Sequence, residues 1–124
     1  MNKQDLKNIL VVDDDLGVLE VIKNILENSY HVFTATMGYE ALRIIHDRSI
    51  DLLTIDFMMP EMTGLDLLKE LRKFNQKLPY IVISGYPPSE FMKHDLLRNS
   101  KGFLLKPFSV QELRILVDKI MANE

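Results

Sequence analysis

Short apolar runs alternate with longer amphipathic ones five times along the chain. Ile9, Leu10, Val11 and Val12 predict a strand over Asn8–Val12 that stops at three consecutive acids, Asp13, Asp14 and Asp15. Val18, Val21, Ile22, Ile25 and Leu26 recur at helical spacing and predict a first helix over about Leu16–Asn28. Val32 and Phe33 mark a second strand near Tyr30–Ala35, and Ala41, Leu42, Ile44 and Ile45 give the inner face of a helix over about Gly38–Arg48. The run Leu52-Leu53-Thr54-Ile55 predicts a third strand, about Asp51–Asp56, followed by a turn with Pro60 and Gly64.

A third helix begins near Thr63, where Thr63 and Asp66 have capping-box spacing. Leu65, Leu67, Leu68, Leu71 and Phe74 form its apolar face, which fades at Asn75. Ile81, Val82 and Ile83 predict a fourth strand over Tyr80–Ser84, and Gly85-Tyr86-Pro87-Pro88 breaks it. A polar fourth helix over about Ser89–Ser100 has only Phe91, Met92, Leu96 and Leu97 to pack, so it is expected to be the most mobile element. The fifth strand, Gly102–Leu105, ends at Lys106-Pro107, a dipeptide that can hold a cis bond. Ser109 and Glu112 form a second capping box ahead of a helix over Val110–Ala122, packed through Leu113, Leu116, Val117 and Ile120.

Strands alternating with helices imply a parallel sheet covered on both faces, with right-handed crossovers. The expectation is an α/β fold, (βα)5 and doubly wound, with a single domain over residues 1–124 and its core over about 7–122. Composition adds exclusions. The 124 residues are 47% hydrophobic and 27% charged, as in ordinary globular domains. The absence of cysteine removes disulfides, thiolate catalysis and cysteine-bound metal centres, and it fits a cytoplasmic location. A formal charge of −3 with dispersed basic residues gives no footprint for direct nucleic-acid binding, and no apolar run reaches membrane-spanning length.

Candidate chemistry sits where the strands end. A buried parallel strand is nearly all apolar, so an acid as its last residue is out of character unless it lies at the open edge where sites form. Asp56 is such an acid, and Asp13, Asp14, Ser84 and Lys106 lie at the ends of other strands. Carboxylates within roughly 5 Å repel by about 3 kcal/mol at an effective dielectric near 20, so such a group needs a shared proton or a cation. Oxygen ligands without His or Cys suit Mg2+. The plainer account, helix capping, is assigned to Asp15. Asp56 then reads as a nucleophilic carboxylate whose phosphoryl product is held by Mg2+, the Lys106 ammonium and the Ser84 hydroxyl.

The segments Ile9 to Asp15, Ile55 to Gly64, Ile83-Ser84 and Leu105 to Phe108 closely resemble the receiver domains of two-component response regulators, over about Lys7 to Ala122. The resemblance implies the flavodoxin-like, chemotaxis-regulator-like sheet with strand order 2-1-3-4-5. It implies that Asp56 is the phosphoacceptor for a sensor histidine kinase or phosphotransfer protein. By the same resemblance Asp13, Asp14, Asp56 and the backbone carbonyl of Met58 bind Mg2+ or Mn2+. Ser84 takes the switch-hydroxyl position, and Phe103 that of an aromatic that turns inward, with a strand-core role as its plain alternative. The switched face comprises the fourth helix, fifth strand and fifth helix, used for homodimers or partner proteins. The kinase would meet the first helix and the loop after the fifth strand; Leu16 and Val18 beside the acids fit that contact, with ordinary packing of the first helix as their equal alternative.

Serine and glycine at 84 and 85 replace the Thr-Ala found in many relatives, which keeps the hydroxyl. Met58 and Tyr86 place apolar bulk beside the route of attacking water and are expected to slow hydrolysis. A phosphatase of the haloacid-dehalogenase type is the competing function, but it carries a second acid two residues after its nucleophile, and here that residue is Met58. A flavodoxin-like cofactor site is opposed by three acids in the first loop, which would repel a phosphate. The chain is therefore expected to modify only its own aspartate rather than to turn over substrates. Whether it stands alone or is cut from a longer regulator is left open by the sequence.

Overall fold

The computed structural model describes residues 5–75, 77–87 and 94–123. Five strands and five helices alternate: β1 (Asn8–Val12), α1 (Leu16–Leu26), β2 (His31–Ala35), α2 (Gly38–Asp47), β3 (Leu52–Asp56), α3 (Gly64–Arg72), β4 (Tyr80–Ser84), α4 (Asp95–Arg98), β5 (Gly102–Leu105) and α5 (Val110–Ala122). The strands form one parallel sheet in the order β2-β1-β3-β4-β5. The order reverses direction beside β1, and that crevice lies at the carboxyl ends of β1 and β3.

Strand alternation divides the core in two. Leu10, Val12, Leu53, Ile55, Tyr80 and Val82 face one side and pack with Ala41, Ile45, Leu67, Leu68, Leu71 and Leu97 of α2, α3 and α4. Ile9, Val11, Leu52, Ile81, Ile83 and Leu104 face the other, against α1 and α5 through Ile22, Leu26, Leu113 and Val117. Each fully buried Leu, Ile or Val contributes about 1.5–3 kcal/mol relative to exposure, so the central strands are the most strongly held parts of the molecule.

The helix starts follow their caps. The Asp15 carboxylate accepts from the N–H groups of Gly17 and Val18, and capping boxes at Thr63/Asp66 and Ser109/Glu112 open α3 and α5. The helix ends are shorter than the periodicity suggests. α1 stops at Leu26, whose carbonyl takes the N–H groups of both Ser29 and Tyr30. α3 stops at Arg72, and the N–H groups of Phe74 and Asn75 turn back to Leu71. Two residues assigned to inner faces are corrected: Phe74 lies past that turn, 51% exposed, and Val21 lies off the Leu19–Ile22–Ile25–Leu26 stripe, 52% exposed. Within the expected fourth helix, α4 covers only Asp95–Arg98, and residues 88–93 lie outside the described residues. The Lys106–Pro107 bond is cis.

Thr54 is fully buried on the same face of β3 as Asp56, and its hydroxyl has no hydrogen-bond partner among the described residues. An unpaired buried hydroxyl costs about 1–3 kcal/mol. Thr54→Val keeps the shape and is expected to raise the melting temperature by about 3–5 °C; calorimetry showing an unchanged or lower value would contradict it.

Candidate functional site

Strand geometry places the acids. β1 and β3 are neighbours in register, Val12 beside Ile55, so the residues that follow, Asp13 and Asp56, come out side by side at the sheet edge. Both are buried, 2% and 7% exposed, whereas Asp14 is exposed. One carboxylate oxygen from each of Asp13, Asp14 and Asp56 can lie within 4.8 Å of the others. An Asp13 oxygen accepts the Asp15 N–H at 2.9 Å, which fixes its orientation while Asp15 caps α1.

Lys106 reaches this group from the end of β5. Its ammonium is 2.8 Å from an Asp13 oxygen and 3.5 Å from an Asp56 oxygen. The lysine expected opposite Asp56 is therefore paired more closely with Asp13. Burial pulls the ammonium down, but the hydrogen bond and charge of Asp13 and the charge of Asp56 outweigh it, and the net shift is upward. Lys106 remains a cation.

The Asp56 carboxyl is pushed up to about 6, first by burial and then by the neighbouring Asp13 charge. The Lys106 charge and the Met58 backbone N–H, which donates to the carboxylate, oppose the rise, and Asp14 adds to it. One ammonium cannot neutralise three carboxylates. A hard divalent cation would complete the balance, and the donors present are oxygens alone, so the group fits Mg2+.

The turn after Asp56 is tightly drawn. Gly64 N–H bonds to the Phe57 carbonyl at 3.0 Å, and a Cβ at Gly64 would lie 2.6 Å from Ile55 Cγ2 and 2.7 Å from the Asp56 carbonyl oxygen. Only glycine lets α3 start so close to the acid. Glu61 in the same loop has φ 67, in the left-handed region, and nothing in its sequence signals this. The Met58 side chain is 49% exposed and that of Tyr86 is 53% exposed.

Ser84 is buried at the end of β4, but its oxygen accepts the Tyr86 N–H at 2.9 Å. It is engaged with the loop after β4 rather than with the acids. Phe103 is half-buried and packs against the core shared by α2, α3 and α4. Thus Asp13, Asp14, Asp56 and Lys106 converge, while Ser84 and Phe103 stand close by on strands β4 and β5. The Met58 N–H contact and the closeness required at Gly64 were not read from the sequence.

The family model of the response regulator receiver domain matches residues 9–118. The chain belongs to the receiver family. Among curated relatives of this receiver, the transcriptional regulatory protein ZraR of Klebsiella oxytoca is 29% identical over 117 residues, 94% of this chain and 26% of that protein. The response regulator SaeR of Staphylococcus epidermidis is 28% identical over 119 residues, 95% of this chain and 52% of that protein. The chain therefore spans about a quarter to a half of the length of these relatives. A CheY-like receiver protein from Methanospirillum hungatei superposes with a TM-score of 0.87 at 29% identity, covering 96% of each chain. The response regulator TrrA of Thermotoga maritima, solved with Mg2+ and beryllofluoride, gives 0.82 at 32% identity, covering 93% of this chain and 99% of that one. Receiver domains are phosphoryl acceptors that pair with histidine kinases, and the acidic group of this one fits their general dependence on Mg2+. No helix among the described residues is long and apolar enough to cross a membrane.

The raised Asp56 gives a sign for pH dependence. Between its folded value of about 6 and the ordinary carboxyl value of 3.8, the folded state holds more protons than the unfolded one. Without divalent ions, stability is expected to rise as pH falls from 7 to 5, by several degrees in melting temperature. Millimolar Mg2+ should stabilise the parent, and Asp56→Asn should raise the melting temperature at pH 7.5 and abolish that stabilisation. Scanning fluorimetry with and without Mg2+ checks both, and an equal Mg2+ response in the variant would contradict the site.

Proposed function

We propose that this chain is a single receiver domain that accepts a phosphoryl group on Asp56 from the phosphohistidine of a sensor histidine kinase or phosphotransfer protein. The observation that carries the reading is the convergence of buried Asp13 and Asp56 with Lys106 at 2.8 and 3.5 Å. An Asp56 oxygen attacks phosphorus, a P–O bond forms, and the P–N bond breaks with its electron pair going to the imidazole. Asp13, Asp14, Asp56 and the Met58 carbonyl would hold Mg2+, or Mn2+, which supplies positive charge to the transferring phosphoryl oxygens. Lys106, already beside Asp56, stabilises another oxygen of the product. Ser84 would leave the Tyr86 N–H to meet the phosphoryl group, and Phe103 would follow on β5. The change then reaches the face of α4, β5 and α5, where Leu105, Val110 and Ile115 are exposed for a second copy or a partner protein. The setting is cytoplasmic, and the domain itself acts only on its own aspartate.

A phosphatase acting on external substrates is not favoured, because the position for its second acid carries Met58, a half-exposed thioether without a transferable proton. Incubation with acetyl phosphate and Mg2+ should add one phosphoryl group by mass spectrometry, and Asp56→Ala should add none. Labelling that survives Asp56→Ala would overturn the assignment of the acceptor. Met58, whose N–H donates to Asp56, and Tyr86, whose N–H donates to Ser84, would exclude part of the water that hydrolyses the product. Met58→Asn is expected to speed loss of the phosphoryl group several-fold; a decay time equal to or longer than the parent's would count against this role.

A further inference from the structure

Tyr80 opens β4, four residues along the strand from Ser84, which ends it. Alternation puts Tyr80, Val82 and Ser84 on one face, with the two hydroxyl-bearing residues about 13 Å apart at roughly 3.3 Å per residue. Both hydroxyls are tied to the connection between β4 and β5. Ser84 accepts the Tyr86 N–H at the start of that connection. The Tyr80 hydroxyl donates to the carbonyl of Leu96 in α4, and the Tyr80 carbonyl accepts the Lys101 N–H at 2.8 Å just beyond α4. One residue thus grips α4 from both sides.

The grip is itself braced. Tyr80 is buried, 2% exposed, and the Arg72 guanidinium lies 4.9 Å from the centre of its ring. Arg72 also donates to the carbonyls of Asn75 and Leu78, so its position above the ring is fixed by α3 and the loop before β4. Among the described residues α4 is a single turn, its N-cap His94 makes no side-chain cap bond, Leu97 is its one buried residue, and half-buried Leu96 packs against the same core. In so short an element, removing one buried neutral hydrogen bond weakens the hold on the turn measurably.

We propose that the Tyr80 hydroxyl is a latch that holds α4 in its resting position, so that the turn of Ser84 towards a phosphoryl group has to release it. Tyr80 is a positioning residue: it touches neither Asp56 nor a phosphoryl group, and it acts through α4. The latch rests on the proposed phosphoacceptor role, because it is that chemistry which works against it. Releasing the latch by substitution raises the population of the switched state before any phosphoryl group arrives, and ligands that select that state then bind more tightly.

The test is Tyr80→Phe, which keeps the ring under Arg72 and removes only the hydroxyl. Tyr30→Phe, which removes a hydroxyl bonded to Asp118 elsewhere in the molecule, serves as control. Amide exchange at Arg98, Asn99 and Ser100, whose N–H groups close the α4 turn, should be faster in Tyr80→Phe and unchanged in Tyr30→Phe. With Mg2+ present, Tyr80→Phe should bind beryllofluoride, a phosphoryl mimic, about fivefold more tightly than the parent, the equilibrium weight of one neutral hydrogen bond. Faster exchange with unchanged beryllofluoride affinity would make the bond merely structural and overturn the latch, as would unchanged exchange. A parent protein that bound no beryllofluoride would instead sink the phosphoacceptor reading, while the exchange measurement would still decide whether Tyr80 holds α4.

Discussion

Two buried carboxylates share one lysine at the carboxyl edge of the sheet, and much of the structure follows from that imbalance. Asp13 and Asp56 stand in neighbouring strands with the Lys106 ammonium between them, and Asp14 adds a third charge at the rim. Like charges at this separation repel by a few kcal/mol unless a cation or a proton intervenes. Burial first, and the Asp13 charge after it, raise the Asp56 carboxyl to about 6. A site so arranged favours whatever brings positive charge to it, and a hard divalent ion fits its oxygen donors.

The cluster persists because the sheet around it is rigid. β1 and β3 are buried on both faces, and their hydrophobic residues outweigh the cost of holding acids at their ends. Around this frame the loops are set by short-range chemistry: Asp15 caps α1, Thr63 and Asp66 start α3, and Gly64 lets that start approach the Asp56 backbone. The same frame holds β4, which is hydrogen-bonded to the connection that follows it at both of its ends. Its last residue, Ser84, holds the loop above it, and its first, Tyr80, holds α4 below. A strand that is rigid between two hydroxyls can carry a change at one end to a weakly held helix turn at the other.

The receiver family pattern runs over most of the chain, and solved receivers superpose over nearly all of it. The relatives matched in sequence extend well beyond the matched region.

The hydrophobic pattern alone determined the order of strands and helices, because period 2 and period 3.6 are local properties of the chain. Both capping boxes and the Asp15 cap were legible for the same reason: each is a contact between residues two or three apart. The acids and the lysine were legible as strand-end residues, since a charge closing an apolar run has few places to be. Tertiary structure decided what depends on neighbours far apart in sequence. Lys106 pairs more closely with Asp13 than with Asp56, 93 residues away along the chain in the first case, and no local pattern encodes that preference. Val21 has helical spacing yet faces solvent, because the stripe of α1 that packs is narrower than the stripe that is apolar, and Phe74 is exposed because α3 has already ended at Arg72. The bond from Tyr80 to Leu96, and a Thr54 hydroxyl without a partner among the described residues, exist only once the sheet and helices have met, since each depends on which partners the packing leaves within reach.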